Sequence, residues 1–497
     1  MFLQILFLII FLVAFYNVYW KRKGLPPGPL PLPLIGNGLA LKNHNGEKAI
    51  LSWMAKYGNI FTIWLGENPV VLIFNVKTMN ETFIKDGETF AGRPKGSSKH
   101  NGEHRLGIGG TDGPFWKEQR RFALHILRNF GLGKNMMQEK VLHEVTDLIE
   151  HVREQVNAKE EKIDMMAIID ICVGSIINSL TFGYSFDKKN PESFLKLKAL
   201  ATQTVKNFID IKWKLCQWNI TIMKHIPPFD KVYERVKETE TTIDAIFNEK
   251  IANHKKKIDF EADEEPRDYA EAFLRHQYKL DKDGTKDHNY SDKQLVDSIL
   301  DIWIAGQETT SSFLAWLVLY MMEYPEIQEK AHTELDKHVG SDRLVTLDDK
   351  PNLNYVNAIV AETLRASMQS SINVPHRLMK DAVIEGYHIP EDTLVTYQMQ
   401  QLFNNDDQFP EAKKFKPERF LDSNGKFFWP FELMPFGIGK RACLGEGLAK
   451  LEMYLFAANI LNQFKVFHLK NFKAPLTKII DHATHPIPFK TYVKNRF

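Results

Sequence analysis

The chain is poor in cysteine. Among 497 residues only Cys172, Cys216 and Cys443 occur, far apart in sequence. Three scattered thiols make neither a disulfide framework nor a structural zinc site, which needs about four clustered ligands. That composition fits a reducing compartment. An excess of either charge is also missing: 64 basic against 62 acidic side chains leave a formal net charge of +2, no footprint for nucleic acid. There is no internal repeat, no low-complexity tract and no flavin or nicotinamide fingerprint, so neither a solenoid nor a self-contained flavoprotein is expected. Residues 1–20, MFLQILFLIIFLVAFYNVYW, carry no charged side chain at all.

That run is the first positive signal. As a helix it would span about 30 Å, the apolar thickness of a bilayer. Lys21, Arg22 and Lys23 come immediately after it. A cleaved secretory signal carries its charge before the apolar run and small residues at the cleavage site, and a mitochondrial presequence is amphipathic and arginine-rich. Residues 1–20 therefore read as an uncleaved membrane anchor, and the basic cluster favours keeping the rest of the chain in the cytosol. The segment 25–37, LPPGPLPLPLIGN, is stiff and extended, so 21–37 read as a basic stop and proline-rich hinge. The body is expected over 38–497 with no convincing boundary inside it. Helical periodicity dominates after residue 115, and β-rich runs appear as NIFTIWL, PVVLIFN and AVIEGYHIPEDTLVTYQ. The charged stretch 254–292 is expected at the surface.

One helix stands out. The run SDKQLVDSILDIWIAGQETTSSFLAWLVLYMMEYP opens on Ser291 and Gln294, the spacing of a capping box, and stops before Pro325. Its middle is apolar nearly all round, which places it in a core. Inside it lies AGQETT, where Gly306 weakens the helix by about 1 kcal/mol relative to alanine. Thr309 and Thr310 can bond backbone carbonyls, and Glu308 sets a carboxylate in apolar surroundings. Weak helix, hydroxyl and acid together read as a site; the plain alternative is a kink with a solvent-facing glutamate.

Near the C-terminus comes PFGIGKRACLG. Cys443 precedes an apolar helical pattern, and a helix N-terminus with Arg441 nearby favours a thiolate. Gly437, Gly439 and Gly445 permit unusual backbone angles and close approach of a flat partner. A lone cysteine without such neighbours is more often a small buried apolar residue.

The motif F-G-x-G-x-R-x-C-x-G is met at every position, by Phe436, Gly437, Gly439, Arg441, Cys443 and Gly445. It resembles the haem-binding loop of the cytochrome P450 haem-thiolate monooxygenases. Glu362 and Arg365 in AETLR, Arg419 in KPERF, the AGQETT turn, and Trp116 with Arg120 in WKEQRRF resemble further family motifs in the family's order. LRNFGLGK and PRDYAEAFL resemble the microsomal animal clan, which includes drug-, steroid- and fatty-acid-oxidising members, and DIWIAGQETT is similar to nematode members.

The resemblance implies a mainly α fold with a small β region enclosing haem b, plus the N-terminal transmembrane helix. It implies Cys443 as axial metal ligand and Arg441, Trp116, Arg120, His376 and, more weakly matched, Arg93 as partners of the haem propionates. Thr309 and Glu308 would deliver protons during dioxygen activation, Ala305 would lie over the haem, and Gln307 sits where relatives often carry a smaller residue. Glu362, Arg365 and Arg419 would form a buried ion network. Electrons would come from NADPH through a separate NADPH-cytochrome P450 reductase, with cytochrome b5 as a second partner. Lys413, Lys414, Lys416, Lys440 and Lys450 would offer a basic docking face. The substrate would be a lipophilic small molecule, a steroid, fatty acid or xenobiotic, met by the variable stretches 100–108, 204–218, 313–316 and 370–374. Two other readings remain at this point: a haem-thiolate enzyme that rearranges peroxides without dioxygen, and a membrane-anchored carrier of apolar ligands.

Overall fold

A computed structural model describes residues 2–41, 45–95, 99–129, 135–217, 219–367, 373–480 and 484–497. Parts of LRNFGLGK and of the expected pocket walls, around 218 and 370–372, lie outside them. The described residues fall into two compact units, within Met1–Lys95, Ser370–Ala412 and Phe431–Cys443, and within Gly96–Gln369, Lys413–Pro430 and Leu444–Phe497.

The first unit begins with the helix Phe2–Val18, whose large apolar side chains are exposed, among them Phe7, Phe11 and Phe15. A span of Gln4–Arg22 is long and apolar enough to cross a bilayer. Its basic end is not simply solvated: Lys21 pairs with Glu67 at 2.9 Å and lies 4.6 Å from the Trp64 ring centre. The β-rich runs form strands as expected. β1 (Ile60–Leu65), β2 (Asn68–Ile73), β3 (His376–Arg377) and β4 (Leu394–Tyr397) make one sheet in the order β1-β2-β4-β3. β1 and β2 are antiparallel with Ile60 opposite Ile73, β2 and β4 are parallel, and β3 returns antiparallel with His376 opposite Val395. Phe61, Ile63, Val70, Leu72 and Phe74 bury one core, with Phe61 and Phe74 stacked at 5.1 Å. The proline-rich hinge packs along this sheet, because Thr62 N donates to Pro27 O at 3.0 Å and Trp64 N to the Asn37 side chain at 2.8 Å.

The second unit is built on long helices. Met165–Phe182 is apolar enough to cross a membrane but is mostly buried, so it is a core helix. Against it runs Asp292–Glu323, 32 residues long. Contact between the two is close at Gly306, where an added Cβ would lie 2.4 Å from Ile177 Cδ1. Ser291 caps the long helix through Gln294 N at 3.2 Å. The reciprocal half of the capping box does not form, because the Gln294 side chain is spent on Gly107, Gln119 and Ser298. Pro325 opens the next helix, as a residue lacking an N–H can. The charged stretch 254–292 is only partly superficial: Tyr269–Lys282 is a helix capped by Asp268, and Tyr269 to Leu274 are buried on it. The pattern after Cys443 becomes the helix Glu446–Gln463, buried along nearly its whole length.

Candidate active site

In the first unit the loop before Cys443 is fixed by its own backbone and by the sheet. Gly437 and Gly439 have φ of +75° and +72°. A Cβ on Gly439 would lie 1.8 Å from Phe83 O, so no other residue fits there. The Tyr397 hydroxyl at the end of β4 accepts from Ile438 N at 3.1 Å, and Cys443 N donates to Phe436 O at 2.8 Å, closing the loop. Of the three cysteines, Cys172 and Cys216 are buried and Cys443 is exposed. Burial pushes the Cys172 and Cys216 thiols up. Cys443 is thus the one exposed cysteine of the three.

Basic groups gather beside that loop. Arg441 Nε donates to Ala91 O at 2.7 Å, and Arg93 Nη1 to Pro375 O at 3.3 Å. His376, on β3, has Nδ1 2.6 Å from Phe90 O. Its pKa is pushed down to about 3, chiefly by burial and further by the charges of Arg93 and Arg441. A neutral His376 that donates Nδ1–H to Phe90 O leaves Nε2 as an acceptor. A carboxylate placed there would draw a proton onto Nε2 and meet both guanidinium groups.

In the second unit the acid of the AGQETT turn does not face solvent, because Glu308 is buried. Ala305 is exposed and Thr309 half-buried in a stretch where Gln307, Glu308 and everything from Thr310 to Met322 are buried. The helix keeps one uncovered patch there. Thr309 Oγ1 donates to Ala305 O at 2.7 Å, the hydroxyl–carbonyl competition expected of this sequence. Gln307 turns its larger side chain away, to Asp170 O at 2.9 Å on the helix Met165–Phe182. Glu308 is 5% exposed and accepts from Thr202 Oγ1 at 3.3 Å. On the helix Gly113–Asn129, Trp116 is buried and the Arg120 guanidinium lies 5.8 Å from its ring centre. The structure therefore brings Cys443, Arg441 and His376 into the first unit. Trp116 with Arg120, and Glu308 with Thr309, belong to the second.

The ion network is fully formed in the second unit. Glu362 and Arg365 are 0% and 1% exposed. Arg365 holds Glu362 in a fork, both N···O distances 2.7 Å, and Arg419 Nε reaches the same carboxylate at 3.1 Å. Lys416 N donates to Glu362 at 2.8 Å.

Two features carried no motif. The first three turns of the long helix clamp the segment 106–109: Leu106 N goes to Asp297 at 3.0 Å, Gly107 N to Gln294 at 2.7 Å, and Ile108 N and Gly109 N to Asp301 at 2.7 and 2.8 Å. Burial raises the Asp301 carboxyl to about 6. The other is Glu452 on Glu446–Gln463, which is 1% exposed and hydrogen-bonds Thr310; burial raises its carboxyl to about 8. The folded state then holds a proton on Glu452 that the unfolded chain has already lost. Stability from this group falls as pH rises from the usual carboxylate range to about 8, on the order of 1 kcal/mol per pH unit. Glu452→Gln, which cannot ionise, is expected to match the wild-type melting midpoint near about pH 5 and to exceed it increasingly toward about pH 8. Parallel midpoint curves across that range would contradict the assignment.

A family model, Cytochrome P450, matches residues 26–493. The chain is 33% identical to cytochrome P450 2H2 of Gallus gallus over 483 residues, 97% of this chain and 95% of the chicken protein. It is 32% identical to cytochrome P450 2J5 of Mus musculus over 457 residues, 92% and 87% of the two chains. Against cytochrome P450 2C8 of Homo sapiens the figures are 31% over 469 residues, 94% and 93%. The chain belongs to the cytochrome P450 family. It is a membrane-type haem-thiolate monooxygenase acting on lipophilic small molecules, with electrons from a separate redox partner, and its cofactor is haem b.

The residues present fit that group. An exposed cysteine on a glycine-bent loop and a basic set suited to carboxylates, both within the first unit, are features that a dicarboxylate with a metal centre requires.

Proposed function

We propose that Cys443 would supply the thiolate ligand of the haem iron and that Arg441, His376, Trp116 and Arg120 would hold the haem propionates. Thr309 and Glu308 manage protons for oxygen activation. When bound, the thiolate-ligated haem supplies the redox chemistry that activates dioxygen. The protein's own share is local. Arg441 and Arg120 offer charge-assisted hydrogen bonds. The Thr309 hydroxyl, already turned onto Ala305 O at 2.7 Å, stands ready to orient solvent and pass a proton at Oγ1. Glu308, buried beside it, is the adjoining acid. An exposed Ala305 and a half-buried Thr309, on a helix that is buried from Thr310 to Met322, are the observation that carries this reading.

Thr309→Ala is expected to leave haem content and substrate binding near wild type but to uncouple the cycle, so that NADPH is consumed and peroxide is released in place of product. The ratio of peroxide to NADPH measures this. Tight coupling with normal product yield would remove Thr309 from proton delivery.

The electron donor we propose is NADPH-cytochrome P450 reductase, with cytochrome b5 as a second partner. Lys413, Lys414 and Lys416 are exposed on one segment and suit an acidic flavoprotein surface. Two other lysines of the expected docking face are engaged by acids: Lys440 with Glu88 at 3.5 Å and Lys450 with Glu446 at 2.7 Å. Residues 1–20 anchor the chain in the endoplasmic reticulum membrane by a single pass. Residues 21–37 form the stop and hinge, and 38–497 the catalytic domain on the cytosolic face. The sequons at Asn80, Asn219 and Asn289 then stay unglycosylated in a eukaryotic host. A mobility shift of the full-length protein on glycosidase treatment would place the body in the lumen and overturn this topology.

A further inference from the structure

Glu308 does not stand alone behind Thr309. Its side chain is 7% exposed, and His485 Nε2 lies 3.7 Å from its Oε2 while Thr202 Oγ1 donates to its Oε1 at 3.3 Å. His485 belongs to the short strand Thr484–Pro486. Two hydrogen bonds fix that strand against the long helix: Ser312 Oγ and Trp316 Nε1 both donate to Thr484 O at 2.7 Å. Glu308, Ser312 and Trp316 are spaced at i, i+4 and i+8, one helix face. The helix face that carries the acid is therefore the one that binds the strand carrying the imidazole. The His485 side chain is 19% exposed, so it touches both solvent and the buried carboxylate.

We infer that His485 is a positioning and proton-supplying residue for Glu308, a route from solvent to the oxygen-activation turn, with Thr202 holding the other carboxylate oxygen. This rests on the proton-delivery role proposed for Glu308 and Thr309. Monooxygenation takes up protons with electrons as one oxygen atom leaves as water. The imidazolium gives its Nε2 proton to Glu308 Oε2 and regains one from bulk water, and Glu308 passes its proton toward Thr309. The gap of 3.7 Å is an ion-pair distance that one bridging water or a small side-chain rotation closes. Lys198, on the helix of Thr202, pairs with Asp170, and Lys478, on the hairpin strand opposite Pro486, donates to Ala366 O at 2.8 Å.

The test uses the full-length enzyme in reductase-containing vesicles, with lauric acid as lipophilic probe and peroxide released per NADPH consumed as the readout. The same ratio is followed across pH, because a donor that recharges from bulk water makes coupling depend on pH. His485→Phe and His485→Asn are expected to raise the ratio several-fold and flatten its pH dependence, although asparagine can still hydrogen-bond Glu308. His485→Lys, which restores a proton-bearing cation, is expected to restore coupling. In the ferric resting enzyme, melting midpoints of His485→Phe, Glu308→Gln and the double variant are expected to be non-additive. Wild-type coupling and pH dependence in His485→Asn, or additive midpoints, would overturn the inference. Should Thr309→Ala and Glu308→Gln both stay coupled, it is the underlying reading that fails instead.

Discussion

Cys443→Ser abolishes the thiolate signature. The variant is expected to express with low haem content, to lose the red-shifted Soret band of the reduced carbonyl complex, and to show no oxygenase turnover. A serine hydroxyl is not deprotonated under these conditions and donates little electron density to iron. The loop itself should survive, since its closure uses Cys443 N and Phe436 O, the Tyr397 hydroxyl and two left-handed glycines, none of which involves the sulfur. The loss is thus of ligation and not of fold. Cys172→Ser and Cys216→Ser are expected to keep the spectrum, because both thiols are buried and pushed away from thiolate formation. An unchanged reduced-carbonyl spectrum in Cys443→Ser would remove the ligand assignment.

Glu362→Ala is expected to be as damaging by a different route. The carboxylate is wholly buried, accepts hydrogen bonds from Arg365 and Lys416 N, and forms an ion pair with Arg419. Removing it leaves the Arg365 guanidinium, 1% exposed, without its forked partner. Breaking a buried pair in this way costs about 3–5 kcal/mol, a large part of the roughly 5–15 kcal/mol that holds a typical domain together. The expected outcome is little folded, haem-containing protein at physiological temperature and a melting midpoint far below wild type. Arg365→Lys keeps the charge but not the fork, and should fall between. Haem content and melting of purified protein decide this. A Glu362→Ala variant with full haem and an unshifted midpoint would show that the network does not stabilise the fold.

What the sequence disclosed was local. The loop at 435–445 reads from glycines and one cysteine, and its φ values follow from those residues. The long helix reads from apolar periodicity, a serine cap and a terminal proline, and it spans Asp292–Glu323. Partners far away in the chain were silent. Gln294 reads locally as a capping-box side chain, yet it is taken by Gly107, 187 residues earlier. Glu452, Thr202 and His485 carry no motif, because what matters about each is a neighbour distant in sequence. Charge counting placed 254–292 at the surface, which holds for most of it but missed the buried 268–274: the apolar face of Tyr269, Ala270, Phe273 and Leu274 is diluted by surrounding acids and lysines. The proline-rich hinge read as a stiff extended spacer, and what the sequence did not show is that its carbonyl at Pro27 accepts from β1.

The central claim, a monooxygenase acting on lipophilic molecules, is tested most directly by isotope. Membranes carrying the full-length chain with reductase and NADPH are given a steroid, a fatty acid and an aromatic xenobiotic under dioxygen labelled with oxygen-18. One labelled atom in each oxidised product, with turnover that stops when NADPH is withheld, is the predicted result. Product oxygen drawn from water or from added peroxide, with turnover indifferent to NADPH, would contradict it.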